Sequence, residues 1–185
     1  TFLGGPVCTY YEDDPLNYPL QYAGYFTGVD DLLFVTKQTW NNVLAPKTLC
    51  QAMRKLRYMG DDTFQYILYV AHPSTPTIMT AFVTTLRTAT FRPRRQPHAI
   101  TYQTFLGGPV CTYKILYADW RNGCFIVVSS LTGNRRACRL LQTASTVNQN
   151  VPPVCNRVYN ENCNTRSKQI YNPICPMRLP HIVQW

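Results

Sequence analysis

Apolar positions along most of the chain recur with a period of two, the spacing that sends alternate side chains of a strand to one face. The clearest case is 64–70, where Phe64, Tyr66, Leu68 and Val70 share one side. Strand-like segments follow one another at 32–40, 50–59, 63–72, 78–91, 98–104, 111–119, 124–131 and 135–143. They are rich in the β-branched and aromatic residues that suit a pleated, half-buried surface. The separators are turn chemistry: Asn41-Asn42, Gly60-Asp61-Asp62, the proline-bearing stretches 73–76 and 93–97, Asn122-Gly123 and Gly133-Asn134. Short strands joined in chain order predict an all-β fold, an eight-stranded up-and-down antiparallel barrel. Such a barrel has no exposed sheet edge and is wide enough to hold one small ligand.

The two ends read differently. Tyr18, Tyr22, Tyr25 and Phe26 recur at three- and four-residue spacings within 16–27, which predicts one short N-terminal helix despite Pro19 and Gly24. Pro152-Pro153 opens a C-terminal helix running to Asn164, with Val154, Cys155 and Val158 as its apolar strip. The proline-rich remainder is expected to be extended and held by Cys175, with 177–185 a flexible tail. Residues 1–10, TFLGGPVCTY, recur unchanged as 104–113, but nothing around either copy repeats, so the chain is not a solenoid. The first copy precedes an acidic segment, Glu12 to Asp14, and reads as an artefactual duplicate, although removing it leaves an odd cysteine.

Length adds that 1–185 forms a single domain, able to bury roughly 70% of its unfolded surface. No window approaches the ~18 consecutive apolar residues of a membrane span, and the start lacks signal-peptide character, so a mature soluble chain is expected. The eight cysteines, dispersed without a CxxC pair or a Cys/His cluster, argue for disulfides in an oxidising compartment and against a metal site. Eighteen Lys and Arg against nine Asp and Glu give a net charge of +9, which favours anionic partners. The densest cluster, Arg92, Arg94 and Arg95, suits a cell-surface polyanion. No nucleic-acid-binding motif accompanies it.

One hairpin carries a resemblance. Residues 113–128, YKILYADWRNGCFIVV, form two apolar runs around Arg121-Asn122-Gly123, a turn signal because Asn and Gly tolerate positive φ. The pattern Tyr113-x-x-x-Tyr117-x-Asp119-Trp120, a short polar turn and then Cys124-x-Ile126 resembles the signature hairpin of the tick salivary lipocalins, the group that includes the histamine-binding proteins. The stretch 32–40 followed by Cys50 is similar to that family's first strand and second-strand cysteine, and Cys155 and Cys175 to its C-terminal cysteines. The resemblance covers about residues 30 to 176 in outline, and implies a barrel closed at one end by a short helix and the disulfides Cys50–Cys175 and Cys124–Cys155. Of the remaining four cysteines, Cys138 with Cys163 is the preferred pair, and Cys8 and Cys111 stay open.

Catalysis finds no support in the pattern. His72, His98 and His181 each lie beside a proline at loops or strand ends, outside any GxSxG or HExxH context, and read as exposed or strand-end residues. The carboxylates gather in turns at Glu12–Asp14, Asp30-Asp31 and Asp61-Asp62, a solvated pattern, leaving Asp119 and Glu161 apart. No enzyme activity and no cofactor are expected. The expected barrel wall comprises Phe34, Trp40, Tyr66, Leu68, Phe82, Tyr102, Ile115, Tyr117, Phe125 and Val127, joined by Arg139 and Leu141. It would be apolar and aromatic with hydroxyl tips, suited to a flat hydrophobic ligand. Histamine binders of the resembled family carry an acid directly after the hairpin cysteine, where this chain has Phe125, and one on the last strand, where it has Arg139, Leu140 and Leu141. A cationic amine needs such acids or an aromatic cage to replace its lost hydration, and both departures point away from amines. The expected ligand is therefore a sterol, fatty acid or eicosanoid, with an arginine able to pair with a carboxylate. The resemblance implies a secreted, monomeric protein that dampens host defence. The alternatives are an amine scavenger for histamine or serotonin, and a protein-interaction module acting on an immune receptor or complement component.

Overall fold

The computed structural model describes residues 10–40, 45–130, 136–163 and 166–180. Cys8, the separators Asn41-Asn42 and Gly133-Asn134, His181 and the end of the tail lie outside them. The eight expected strands are present as β1 (Leu33–Thr39), β2 (Ala52–Gly60), β3 (Thr63–Ala71), β4 (Met79–Ala89), β5 (Ala99–Gln103), β6 (Val110–Asp119), β7 (Cys124–Ser130) and β8 (Arg136–Thr143). Each pairs antiparallel with the next. β1 pairs with β8 along one edge and with β2, through Leu33↔Met53, along the other, which closes the barrel. A short β9 (Ser167–Gln169) adds to the far end of β1, so the expected extended tail is in part a strand. Its last piece is α3 (Cys175–Arg178).

Turn chemistry acts as the sequence predicts. The β2–β3 hairpin turns through Asp61 and Asp62 at φ 49° and 56°, the left-handed pair that matches strand twist and that Asp tolerates. At the β6–β7 hairpin the Asp119 carboxylate accepts from Asn122 N at 3.2 Å and from Asn122 Nδ2 at 2.8 Å. Gly123 alone takes the positive φ there, 65°, where a Cβ would also collide with the Thr143 side chain.

The expected single helix over 16–27 is instead two pieces. A 3-10 turn spans Pro15–Leu20, capped by Asp14 Oδ1 accepting from Leu16 N at 3.0 Å, and α1 spans Ala23–Thr27. Gln21 holds the break between them. Its Nε2 donates to Leu116 O at 3.1 Å and its Oε1 accepts from Arg94 Nη1 at 3.1 Å. α1 closes one end of the barrel: Phe26 packs edge-on against Phe125 at 5.6 Å between ring centroids. The C-terminal helix α2 (Pro153–Asn162) lies on the outer face of β6 to β8, burying Val158 and Tyr159 against Leu116, Ile126, Val128 and Leu140. Two disulfides rivet it there, Cys124–Cys155 and Cys138–Cys163, while Cys50–Cys175 ties the start of β2 to α3. All three expected pairings are present.

Two polar groups depart from the solvated reading. Glu12 is only 1% exposed and its two carboxylate oxygens accept from Arg136 Nη1 and Nη2 at 2.6 and 2.7 Å. A fork-to-fork pair of this kind replaces the water the acid loses. His98 stands at a strand end, immediately before β5, as one of the two expected settings had it, but it is only 3% exposed, with Phe91 edge-on to its ring. No helix among the described residues is long and apolar enough to cross a membrane.

Replacing both Cys124 and Cys155 with Ala should lower stability by about 2–4 kcal/mol, since the closed loop restricts the unfolded chain. Urea denaturation of the two proteins measures it. Burial, with Arg94 and Lys114 nearby, holds the His98 pKa below its ordinary 6.5, and the hydrogen bond to Gln96 O and the Asp13 charge only partly oppose this. The unfolded chain therefore takes up a proton there before the folded one does, and stability falls as pH drops through about 6.5 toward the depressed folded value. His98→Gln should flatten the urea midpoint between pH 7.5 and 5.5.

Candidate ligand-binding site

The parity of each strand decides which side chains meet inside. Leu33 and Val35 of β1, Met53 of β2, Tyr66 and Leu68 of β3, Leu86 of β4, Ile100 and Tyr102 of β5, Tyr113 and Ile115 of β6, Phe125 and Val127 of β7 and Leu141 of β8 form one buried cluster. Phe82 packs against it half-buried. Of the expected wall, Tyr66, Leu68, Phe82, Tyr102, Ile115, Phe125, Val127, Arg139 and Leu141 are thus brought together.

Three expected wall residues are elsewhere. Tyr117 was placed with Ile115 by the period of two, but β6 bulges between them: Ile115 pairs with Val127 and Tyr117 with Ile126. The extra residue reverses parity, and Tyr117 packs under α2. Phe34 alternates outward from Leu33 and Val35 and meets Tyr171 edge-on at 5.0 Å. Trp40 follows the last β1 residue and is 41% exposed, with Lys47 Nζ and Lys168 Nζ 4.6 and 4.7 Å from its ring centroid. That arrangement is a surface cation–π stack.

A second bulge, between Val35 and Lys37 of β1, turns Gln38 inward opposite Arg139. Sequence periodicity missed Gln38 and also Gln51, because glutamine carries no apolar signal. Together they build a polar group inside an apolar barrel. Arg139, 3% exposed, donates through Nη1 to Tyr102 Oη and through Nη2 to Gln51 Oε1 at 2.7 Å. Gln51 Nε2 donates in turn to Pro46 O and Thr48 O at 2.8 and 2.9 Å, and Gln38 Nε2 to Pro46 O at 2.8 Å. The segment joining β1 to β2 is thereby tied to the guanidinium. Arg139 Nε, Gln38 Oε1 and Tyr66 Oη have no hydrogen-bond partner among the described residues.

The electrostatics are one-sided. No described carboxylate forms an ion pair with Arg139, whose bonded partners are a neutral phenol and a neutral amide. Burial pushes the Tyr102 hydroxyl up, and the adjacent guanidinium only partly offsets this, so the phenol stays protonated at neutral pH. A buried cation balanced by dipoles alone is costly, and an incoming anion relieves that cost. Cys111 is buried opposite Tyr102. No three His, Cys, Asp or Glu side chains gather as a metal site among the described residues.

Among the described residues the space beside Arg139 is narrow. The void beside Arg139, lined by Val35, Met53, Leu68, Val70 and Thr104, has a volume of about 10 Å³. That is room for about one water, whereas drug-sized ligands occupy pockets of about 300–1,000 Å³. Eight strands enclose an interior just wide enough for side chains to fill, and Tyr66, Tyr102, Tyr113 and Phe125 are large enough to fill it. Larger grooves lie outside, one of about 450 Å³ between Tyr25, Trp120, Asp30 and Asp31. Asp30 is already paired with Lys55 at 3.0 Å, and both oxygens of Asp31 accept backbone amides, from Leu32 and Ser145.

Solved structures share this architecture. Cholesterol-bound japanin from Rhipicephalus appendiculatus is 18% identical, with a TM-score of 0.55 over 77% of this chain and 92% of its own. AM182, solved with serotonin, is 14% identical, with a TM-score of 0.59 over 85% and 93%. Lobster apocrustacyanin A1 is 13% identical, with a TM-score of 0.54 over 80% and 79%. No curated protein matches the chain in sequence. The family described as tick histamine binding protein matches residues 11–177, nearly the whole described barrel with its N-terminal segment and α2. A closed eight-stranded barrel, the paired signature hairpin and this match together make the chain a member of the tick histamine-binding protein family of lipocalins.

Proposed function

We propose that this chain is a secreted lipocalin that captures a small hydrophobic acid, of the fatty-acid or eicosanoid class, and withholds it from host inflammatory signalling. Binding, not catalysis, is the mechanism. The observation that carries the reading is Arg139: a guanidinium inside the barrel, unmatched by any described carboxylate, with Nε unpartnered. A ligand carboxylate takes the place that Gln51 and Tyr102 fill in the closed barrel, accepting bidentately from the guanidinium. An uncharged sterol would leave the cation uncompensated. A protonated amine inside the barrel would face it directly, which is why the amine alternative falls behind although AM182 was solved with serotonin. Secretion is supported by the three disulfides and by family membership.

Because little space is open beside Arg139 among the described residues, capture there requires the wall to repack. Met53 and Leu68 line the small void beside Arg139, and a flexible acyl chain can thread among such side chains where a rigid ring system needs the whole space at once.

Titration calorimetry with arachidonate, arachidonyl alcohol, cholesterol and serotonin tests the proposal. Arachidonate should bind at least tenfold tighter than its alcohol, and Arg139→Met should remove that preference, a loss of about 1.4 kcal/mol or more. The same substitution should leave stability unchanged or raised by about 1–4 kcal/mol, since it removes a buried charge. Equal affinity for acid and alcohol in the unaltered protein overturns the reading. So does saturable serotonin binding that Arg139→Met leaves intact, which would instead point to the outer groove of Tyr25, Trp120 and Asp30.

A further inference from the structure

The positive charge of the chain is unevenly placed. Residues 52 to 103, which form β2 to β5, hold seven Lys and Arg against two acids, Asp61 and Asp62, both at the β2–β3 turn. Three of these cations share the outer face of the sheet. Arg54 stands opposite Ile67, which stands opposite Val83. Arg57 stands opposite Gln65, which stands opposite Thr85. Arg87 is flanked by Thr63 on β3 and Thr101 on β5. Met53 and Leu86 point into the core, so alternation aims Arg54 and Arg87 at solvent; a bulge in β2 between Lys55 and Arg57 carries Arg57 to the same face, opposite Gln65, and all three are exposed. Arg57 Nε donates to the neutral Gln65 Oε1 at 3.1 Å, and none of the three pairs with a described carboxylate. Arg92 and Arg95 are exposed on the loop that follows β4.

We propose that the outer face of β2, β3 and β4 is a binding surface for a linear sulfated polysaccharide. Strands lie about 4.8 Å apart, so arginines on β2 and β4 form a row about 10 Å wide across the sheet, not a pocket. A row of unpaired guanidinium groups complements an extended polyanion, because each forks onto a sulfate or carboxylate. Thr63, Gln65 and Thr85 lie between the cations and offer hydroxyl and amide groups to sugar hydroxyls. Single-stranded nucleic acid would want exposed aromatic rings for base stacking, and the positions between the three arginines are Ile67, Val83, Thr and Gln. A stable protein interface would want a larger apolar centre than Ile67 and Val83 provide. This surface is on the opposite side of the wall from Arg139 and holds or fails independently of the ligand in the barrel. Its effect would be to keep a secreted scavenger on the extracellular matrix near the place of release.

The test is titration of an eight-sugar heparin fragment at 50, 100 and 150 mM NaCl against three proteins, each checked for fold by circular dichroism. They are the unaltered chain, R54Q/R57Q/R87Q, and the charge-matched R121Q/R157Q/R166Q, which alters exposed arginines elsewhere. The unaltered chain should bind saturably. R54Q/R57Q/R87Q should lose at least tenfold in affinity at 150 mM, with the slope of log K on log salt reduced by about three, roughly one per contact removed. R121Q/R157Q/R166Q should stay within twofold. Equal losses in the two triple variants would show bulk charge alone and overturn the proposal. So would absence of saturable binding, or phosphatidylserine vesicles binding the same face more tightly than the fragment. If R54Q/R57Q/R87Q does not fold, R54K/R57K/R87K keeps the charge but not the fork and should still lose severalfold.

Discussion

Everything in this molecule follows from β1 being hydrogen-bonded along both edges. Pairing to β8 through Leu33↔Thr143 and to β2 through Leu33↔Met53 turns a sheet into a ring and fixes its circumference. Once the ring is fixed, each residue is either inside or outside, and the only freedom left is where parity changes. Bulges in β1, β2 and β6 exercise it, and two of them shape the polar centre and the seat of α2. On β1 a bulge turns Gln38 to the inside, where it and Gln51 hold Pro46 O. On β6 a bulge sends Tyr117 outward, where it supplies part of the seat for α2. The polar centre around Arg139 and the docking of the C-terminal helix are thus both products of single added residues.

Strand order and hairpin positions could be read from the sequence because they rest on local chemistry, whereas the pairings Cys50–Cys175 and Cys124–Cys155 follow from the family resemblance and from no segment's own geometry. Alternation in 64–70, left-handed Asp61-Asp62 and the Asn122-Gly123 turn each state their own geometry. What could not be read depends on pairings far apart in the chain. Glu12 looks like one of three solvent-facing acids until Arg136 arrives from 124 residues away. Nothing in Leu116 marks it as the point where parity reverses, so Tyr117 was assigned to the wrong wall. Trp40 looks like the close of an inward stripe, but its neighbours Lys47 and Lys168 come from a loop and from β9. The filling of the barrel is the largest such gap. Eight strands set a radius, but whether that radius is occupied depends on the summed volume of tyrosines and phenylalanines from five strands, which no single segment reveals.

Charge organises the protein as strongly as hydrophobicity does. Most of its few carboxylates are committed to structure: Glu12 to Arg136, Asp13 to Lys114, Asp14 and Asp31 to backbone amides, Asp119 to its own turn. The cations therefore outnumber their partners both inside, at Arg139, and outside, at Arg54, Arg57 and Arg87. An acid-poor sequence of this kind presents positive potential to any ligand that approaches, whichever side of the wall it reaches.

The three disulfides among the described residues are not spread evenly around the ring. Two fasten α2 to β7 and β8, and the third clamps the start of β2 to α3, while β3, β4 and β5 carry none. Among the described residues, one arc of the cylinder is thus cross-linked and the other is held by strand pairing and packing alone. Under the proposed capture, the wall that no disulfide fastens is the one free to widen, and it is the arc whose outer face carries the arginine row.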